Sequence, residues 1–229
     1  MVRFATTLIF GLMTAICFAQ TYKVDSVVVN VGTIEFTYQY PVFEGGIDSL
    51  LQKANTFVRQ QAEKAVPSAV SDASGKSPED FAHQEYHNLQ DAFWNGRLLS
   101  FQADGEEMAY KAQHWMWAYG KTYDVVTEKE VELADLFLPG ADYEATIWYE
   151  IKNMARREKV PMQIETEMGE LIELDLEFLR NASFYLSNEG VCFSMIYENM
   201  LFGTSFWNDQ SYVCVPYRKL RGLLQPYLR

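Results

Sequence analysis

Three histidines are the scarcest polar tools in this 229-residue chain, and two of them sit four residues apart. His83 and His87 would share one face of a helix at a workable spacing for two metal ligands, and they share a face of a strand as well. Glu85 lies between them, but the order of a zinc-protease motif, with Glu next to the first His, is missing. A solvated polar face is the plainer reading of the pair. His114 is a second candidate, a general base that would work with an acid such as Glu106 or Glu107. No Gly-x-Ser-x-Gly run and no active-site Cys motif supplies it with a nucleophile, so a hydrogen-bonded structural histidine is the plainer reading there.

Aromatic residues offer a different chemistry. Trp115, Trp117 and Tyr119 alternate beside His114, with Tyr123 shortly after, so the row lies on one side of a strand. Exposed, such a row stacks on sugar rings; buried, it is the core face of the strand. Glu128, Glu130, Glu132 and Asp135 crowd one turn but lack the spacing of a calcium loop, and they read as a solvated hairpin. The sequence calls for no cofactor and no metal, and no residue is assigned a catalytic role.

The address comes from the first segment. Arg3 is followed by an apolar run from Phe4 to Phe18 and by small residues at Cys17 and Ala19, which predicts a secretory signal peptide over residues 1–19. The run is short for a membrane span. The expected product is exported, periplasmic or extracellular, with no transmembrane span after cleavage. The whole chain has a net charge of −12, and removing Arg3 makes it more negative. That balance argues against nucleic acid and anionic membranes as partners, and it suits a basic protein. Apolar residues make up 48% of the chain, enough for a real core.

Two cysteines lie beyond the signal segment, Cys192 and Cys214. An antiparallel hairpin that sets them opposite each other also sets Val191 against Val215 and Phe193 against Val213, gathering the apolar set on one face. Export permits a disulfide there; two half-buried free thiols are the alternative. The intervening tip, Glu198 to Gln210, holds Phe206 and Trp207. It either folds back on the core or offers an apolar contact to a partner.

Several elements position these residues. Val24 to Tyr40 reads as a strand pair broken at Gly32 and ended by Pro41. Asp48 caps a helix that ends before Pro67, and Ser68 to Ser77 reads as a loop. Ser77-Pro78-Glu79-Asp80 has helix-start chemistry, yet Phe81 to Trp94 fits helix or strand. Asn95-Gly96 and Asp104-Gly105 predict two hairpins, with strands from Arg97 to Gln102 and from Met108 to Tyr119. Tyr123 to Thr127 and Val131 to Leu133 form another hairpin through Glu128-Lys129-Glu130. A second helix starts near Asp142 with Ile147, Ile151, Met154 and Ala155 inward. Phe184 to Leu186 and the cysteine hairpin supply the last strands, and Tyr217 to Leu224 closes as a short helix. The class is α+β, an antiparallel sheet or sheets built from hairpins with a few helices packed on one side.

The order of three stretches resembles a known family. They are Leu98-Leu99-Ser100-Phe101 with Tyr110 and His114; Tyr123-Asp124-Val125 with Val131 to Phe137 and Gly140; and Phe184 to Ser187 with Gly190 to Phe193, Tyr197-Glu198 and Val215-Pro216-Tyr217. They are similar to domain-of-unknown-function family 3298, the RsiV-type extracytoplasmic module. Tyr40-Pro41 and the helix from Asp48 resemble its usual N-terminal companion, the PdaC-type family 4163. The resemblance implies an N-terminal part over residues 20–105 and a C-terminal part over 106–229, folded as one unit. Where the family often has a Gly-Gly-Ala-His run, this chain reads Tyr110-Lys111-Ala112-Gln113-His114. In the anti-sigma relative the module binds lysozyme, a basic protein. The expectation is therefore an exported, non-catalytic cell-envelope protein that binds a protein or glycan ligand, with Trp115, Trp117, Tyr119, His114, Phe206 and Trp207 as candidate contacts. A cell-wall hydrolase or metal-dependent enzyme using His114 or His83 and His87 is the alternative, and a structural envelope module is a third reading.

Overall fold

The computed structural model describes residues 21–31, 34–45, 48–73, 82–109, 113–159, 162–165, 171–194 and 212–228. Its first two strands, β1 (Tyr22–Val31) and β2 (Ile34–Phe43), pair antiparallel in unbroken register from Tyr22↔Phe43 to Val31↔Ile34. Strand β2 runs through Pro41 instead of ending there. On its other side β2 pairs only over Glu35 to Tyr38, so Pro41 lies where one flank has no ladder and a missing N–H is tolerated.

Helix α1 (Ser49–Ala73) follows, and it too passes its expected stop, continuing through Pro67. Leu51, Ala54, Phe57, Val58 and Ala62 are buried along one stripe before the proline. Packing of that stripe, more than local propensity, sets the course of the helix. The stretch expected as a loop from Ser68 is helical to Ala73, and residues 74–81, with the predicted helix start, lie outside the described residues.

The chain then builds the rest of a six-stranded sheet in the order β1-β2-β3-β4-β5-β6. Its members are β3 (Ala82–Trp94), β4 (Leu98–Ala109), β5 (Gln113–Asp124) and β6 (Lys129–Glu130). The ambiguous stretch from Phe81 is thus strand from Ala82 onward. It pairs parallel with β2 across the α1 connection, the one parallel contact in an otherwise antiparallel sheet. Asn95-Gly96 does turn the β3–β4 hairpin, closing on Trp94↔Leu99. Asp104-Gly105 does not turn: both residues sit inside β4, paired to Asn88 and His87 on one side and to Ala118 and Trp117 on the other. The sequence division between residues 105 and 106 therefore falls within a strand. The β5–β6 turn comes earlier than expected, because Lys129 and Glu130 are already paired with Asp124 and Tyr123.

Beyond a 3-10 turn at Leu133–Leu136, α2 (Tyr143–Glu158) buries Ile147, Ile151 and Ala155, as the periodicity predicts. Three short elements have no counterpart in the sequence reading: β7 (Gln163–Glu165), β8 (Leu171–Glu173) and α3 (Leu176–Asn181). Asp175 caps α3 by accepting from the Phe178 N–H at 2.9 Å. A second sheet, ordered β11-β10-β9, consists of β9 (Phe184–Leu186), β10 (Gly190–Ser194) and β11 (Tyr212–Pro216). Its register sets Cys192 opposite Cys214, Val191 opposite Val215 and Phe193 opposite Val213, and the two cysteines are joined by a disulfide. Helix α4 (Tyr217–Leu220) ends short of its expected limit at Leu224, which instead bridges to Phe137, and a 3-10 turn, Pro226–Leu228, follows; Leu220 and Leu224 are buried.

Two cores lie on opposite faces of the large sheet. On one face α1 covers Phe36, Tyr38, Tyr40, Leu99, Phe101 and Tyr123. On the other, Leu98 joins a core built by the small sheet and α2. The α+β class holds, but the helices divide between these two cores rather than sharing one side. The small sheet docks by specific bonds: the Leu186 N–H donates to Ser100 Oγ at 2.7 Å, and Ser194 Oγ donates to the Ala118 carbonyl at 3.1 Å. Gly120 is needed there, since a Cβ would strike the Phe184 backbone. Among the described residues no helix is long and apolar enough to cross a membrane.

Candidate functional site

A row of residues crosses four strands at one level: Tyr38 on β2, His87 on β3, Gly105 on β4 and Trp117 on β5. Period two puts Glu85, two residues before His87, on the same face, and Tyr119 beside Trp117. The His87 ring stacks on Tyr38 with centroids 4.0 Å apart and meets Trp117 edge-on at 5.6 Å. Gly105 makes this possible, because any Cβ would occupy the space taken by the Trp117 indole.

Hydrogen bonds tie the group together. His87 Nε2 lies 2.8 Å from Glu85 Oε1, and His87 Nδ1 lies 3.0 Å from the Tyr119 hydroxyl. The Tyr38 hydroxyl donates to the same Glu85 oxygen at 3.0 Å. The side chains of His87 and Glu85 are only 12% and 19% exposed. Burial pushes the Glu85 carboxyl up, but the bond and charge of His87 and the bond from Tyr38 outweigh it and hold the carboxyl below its usual value. Burial, then the Glu85 charge, pushes the Tyr38 phenol strongly up; burial, then Tyr123 and Glu85, does the same to Tyr119. Both phenols therefore stay protonated, and Tyr38 serves as a donor to Glu85.

This arrangement fixes a histidine rather than freeing one. Each ring nitrogen of His87 is already hydrogen-bonded within the cluster, so a metal ion would have to displace one of these partners. The strand conformation also separates His83 from His87 by about 13 Å along the backbone, and the side chain of His83 lies outside the described residues. Among the described residues no group of three His, Cys, Asp or Glu side chains is placed to hold a metal ion.

The other predicted contacts divide clearly. Trp117 and Tyr119 come together at His87 and are partly buried. Strand β5 also carries His114 and Trp115, but their side chains, like that of Glu107, lie outside the described residues, as do Phe206 and Trp207 altogether. Glu106 is on β4, opposite Tyr86 and Met116. Two members of the cluster, Glu85 and Tyr38, were not singled out from the sequence as partners of His87. The signal for Glu85 was its two-residue spacing from His87, which puts both on one face only once the stretch is known to be a strand.

No family model matches this sequence, and no curated protein matches it. Among solved structures, the fold is similar to that of a DUF3298 family protein from Pseudomonas aeruginosa PAO1. The TM-score is 0.50 at 12% sequence identity, over 91% of this chain and 95% of that one. A member of the same family from Bacteroides fragilis NCTC 9343 aligns with a TM-score of 0.46 at 15% identity, again over 91% and 95%. The Pseudomonas likeness concerns the fold of nearly the whole chain. It assigns no residue a role.

Proposed function

We propose that this chain is an exported, non-catalytic cell-envelope protein whose ligand is another protein, bound at the rim of the large sheet. The supporting observation is the packing of Trp117. Its indole lies over Gly105 and against His87, so the side turned to the sheet is not free to stack on a sugar ring. At the rim, β1 is an edge strand, and Val24 and Val28 on its outer face are each 51% exposed. Edge strands with exposed apolar side chains are surfaces that other chains use. The net charge of −12 favours a basic partner of the lysozyme kind, through faster encounter more than through tighter contact. A pull-down from envelope extracts tests this reading. Retention of a basic protein, reduced when Val24 and Val28 are both changed to Lys, supports it. Failure to retain any envelope protein at any salt concentration overturns it.

A further inference from the structure

The opposite face of the large sheet carries a second polar group that the function above does not use. The register there sets Asp91, Gln102 and Gly120 in one row across β3, β4 and β5, and Asn88, Asp104 and Ala118 in the next. Ser100, two positions from Gln102 on β4, bonds to β9, so these rows face the small sheet. An irregularity between Leu89 and Asp91 makes this happen. Leu89 packs on the α1 side, and the extra residue turns Asp91 to the other face.

Gln102 joins the two acids. It is 2% exposed, its Nε2 donates to Asp104 Oδ1 at 2.9 Å, and Asp91 is its cross-strand partner. Its Oε1 is buried and accepts no hydrogen bond among the described residues. Such an atom is costly to leave unmade. Tyr185 and Tyr212 pack edge-on at 5.4 Å beside the group; burial raises both phenols most, and the two carboxylates add to the rise. Burial pushes Asp91 and Asp104 up, partly opposed by the Ala92 N–H and the Gln102 amide, and among the described residues no basic side chain contributes to either shift. Two desolvated carboxylates and an orphaned carbonyl share one need, a positive charge that accepts oxygen lone pairs.

We propose that Asp91, Asp104 and the Gln102 carbonyl oxygen form a binding site for a hard divalent cation of the calcium type, at the junction of the two sheets. Diagonal neighbours on paired strands have Cβ atoms within about 7–8 Å, a separation that two carboxylates span around one ion at Ca–O distances of about 2.3–2.6 Å. Every donor is oxygen, which selects a hard cation over zinc or copper. The ion neutralises the two carboxylates and ties β3 and β4 together beside β9.

Terbium luminescence tests the site, because a lanthanide takes the same oxygen ligands and is sensitised by nearby tyrosines such as Tyr185 and Tyr212. The purified protein, first stripped with a chelator, is titrated with terbium alone and then with calcium as competitor. The expected result is a saturable signal displaced by calcium, together with a calcium-dependent rise in Tm. Asp91→Asn/Asp104→Asn abolishes the signal, while Gln102→Glu, which adds a third carboxylate, strengthens calcium binding several-fold. No saturable signal, or a signal that survives the double substitution, overturns the proposal. If the double variant does not fold, Gln102→Glu decides alone, and unchanged or weaker binding refutes the site.

Discussion

Gly105→Ala is the sharpest perturbation of the packing around His87. A turn glycine and a packing glycine respond differently to it. In an ordinary strand, replacing Gly by Ala stabilises by roughly 0.5–1 kcal/mol through lost unfolded-state entropy. Here the added methyl would overlap the Trp117 indole, so the ring must move. Overpacking of this kind costs about 1–3 kcal/mol. Displacing the ring also removes its edge contact with His87, an interaction of roughly 0.5–1.5 kcal/mol. The net expectation is a loss of about 2 kcal/mol, or a Tm lower by about 4–8 °C for a chain of this size. Urea denaturation followed by tryptophan fluorescence measures it. The decisive comparison repeats Gly105→Ala in a Trp117→Ala background, where the methyl has room and the effect falls to zero or reverses sign. An equal loss in both backgrounds, or no loss in either, would refute the reasoning.

Three further outcomes follow from named contacts. Glu85 has a folded-state value below its ordinary 4.5, so its contribution is fully present above that pH and is lost as the pH falls below it. Urea midpoints taken across this range should fall on acidification in the parent, and by a smaller amount in Glu85→Gln. Ser100→Ala leaves the buried Leu186 N–H without its acceptor and should lower the unfolding free energy by about 1–3 kcal/mol, read by the same denaturation. Cys192→Ser/Cys214→Ser opens a loop closed across a sequence separation of 22 and should cost about 3 kcal/mol. Mass spectrometry of the unreduced parent should detect no free thiol at either position.

Elements whose signals are local could be read from the sequence. The 3.6-residue spacing of Ile147, Ile151 and Ala155 locates α2, and the alternation around Cys192 and Cys214 yields the hairpin register pair by pair. The failures are contacts between distant positions. Asp104-Gly105 is a turn dipeptide by composition, and only the indole twelve residues further on explains a glycine in mid-strand. Strand β3 hides its period because Glu85 and His87 occupy the face where apolar residues are expected, and the irregularity after Leu89 then inverts the alternation. Pro41 and Pro67 read as stops, yet one sits where its strand lacks a neighbour on one side and the other follows a buried helical stripe. The candidate site divides the same way. Trp117 and Tyr119 were legible as a row, but their relation to His87 depends on β4 lying between β3 and β5.

Binding of a basic envelope protein, without chemistry on the cell wall, is the function proposed above. The most direct measurement is calorimetric titration of the purified protein with lysozyme over a series of salt concentrations, with peptidoglycan fragments titrated and assayed for cleavage in parallel. Saturable binding to the basic protein that weakens as salt rises, with peptidoglycan left intact, is the expected result. Absence of protein binding at every salt concentration, or turnover of the fragments, would contradict it.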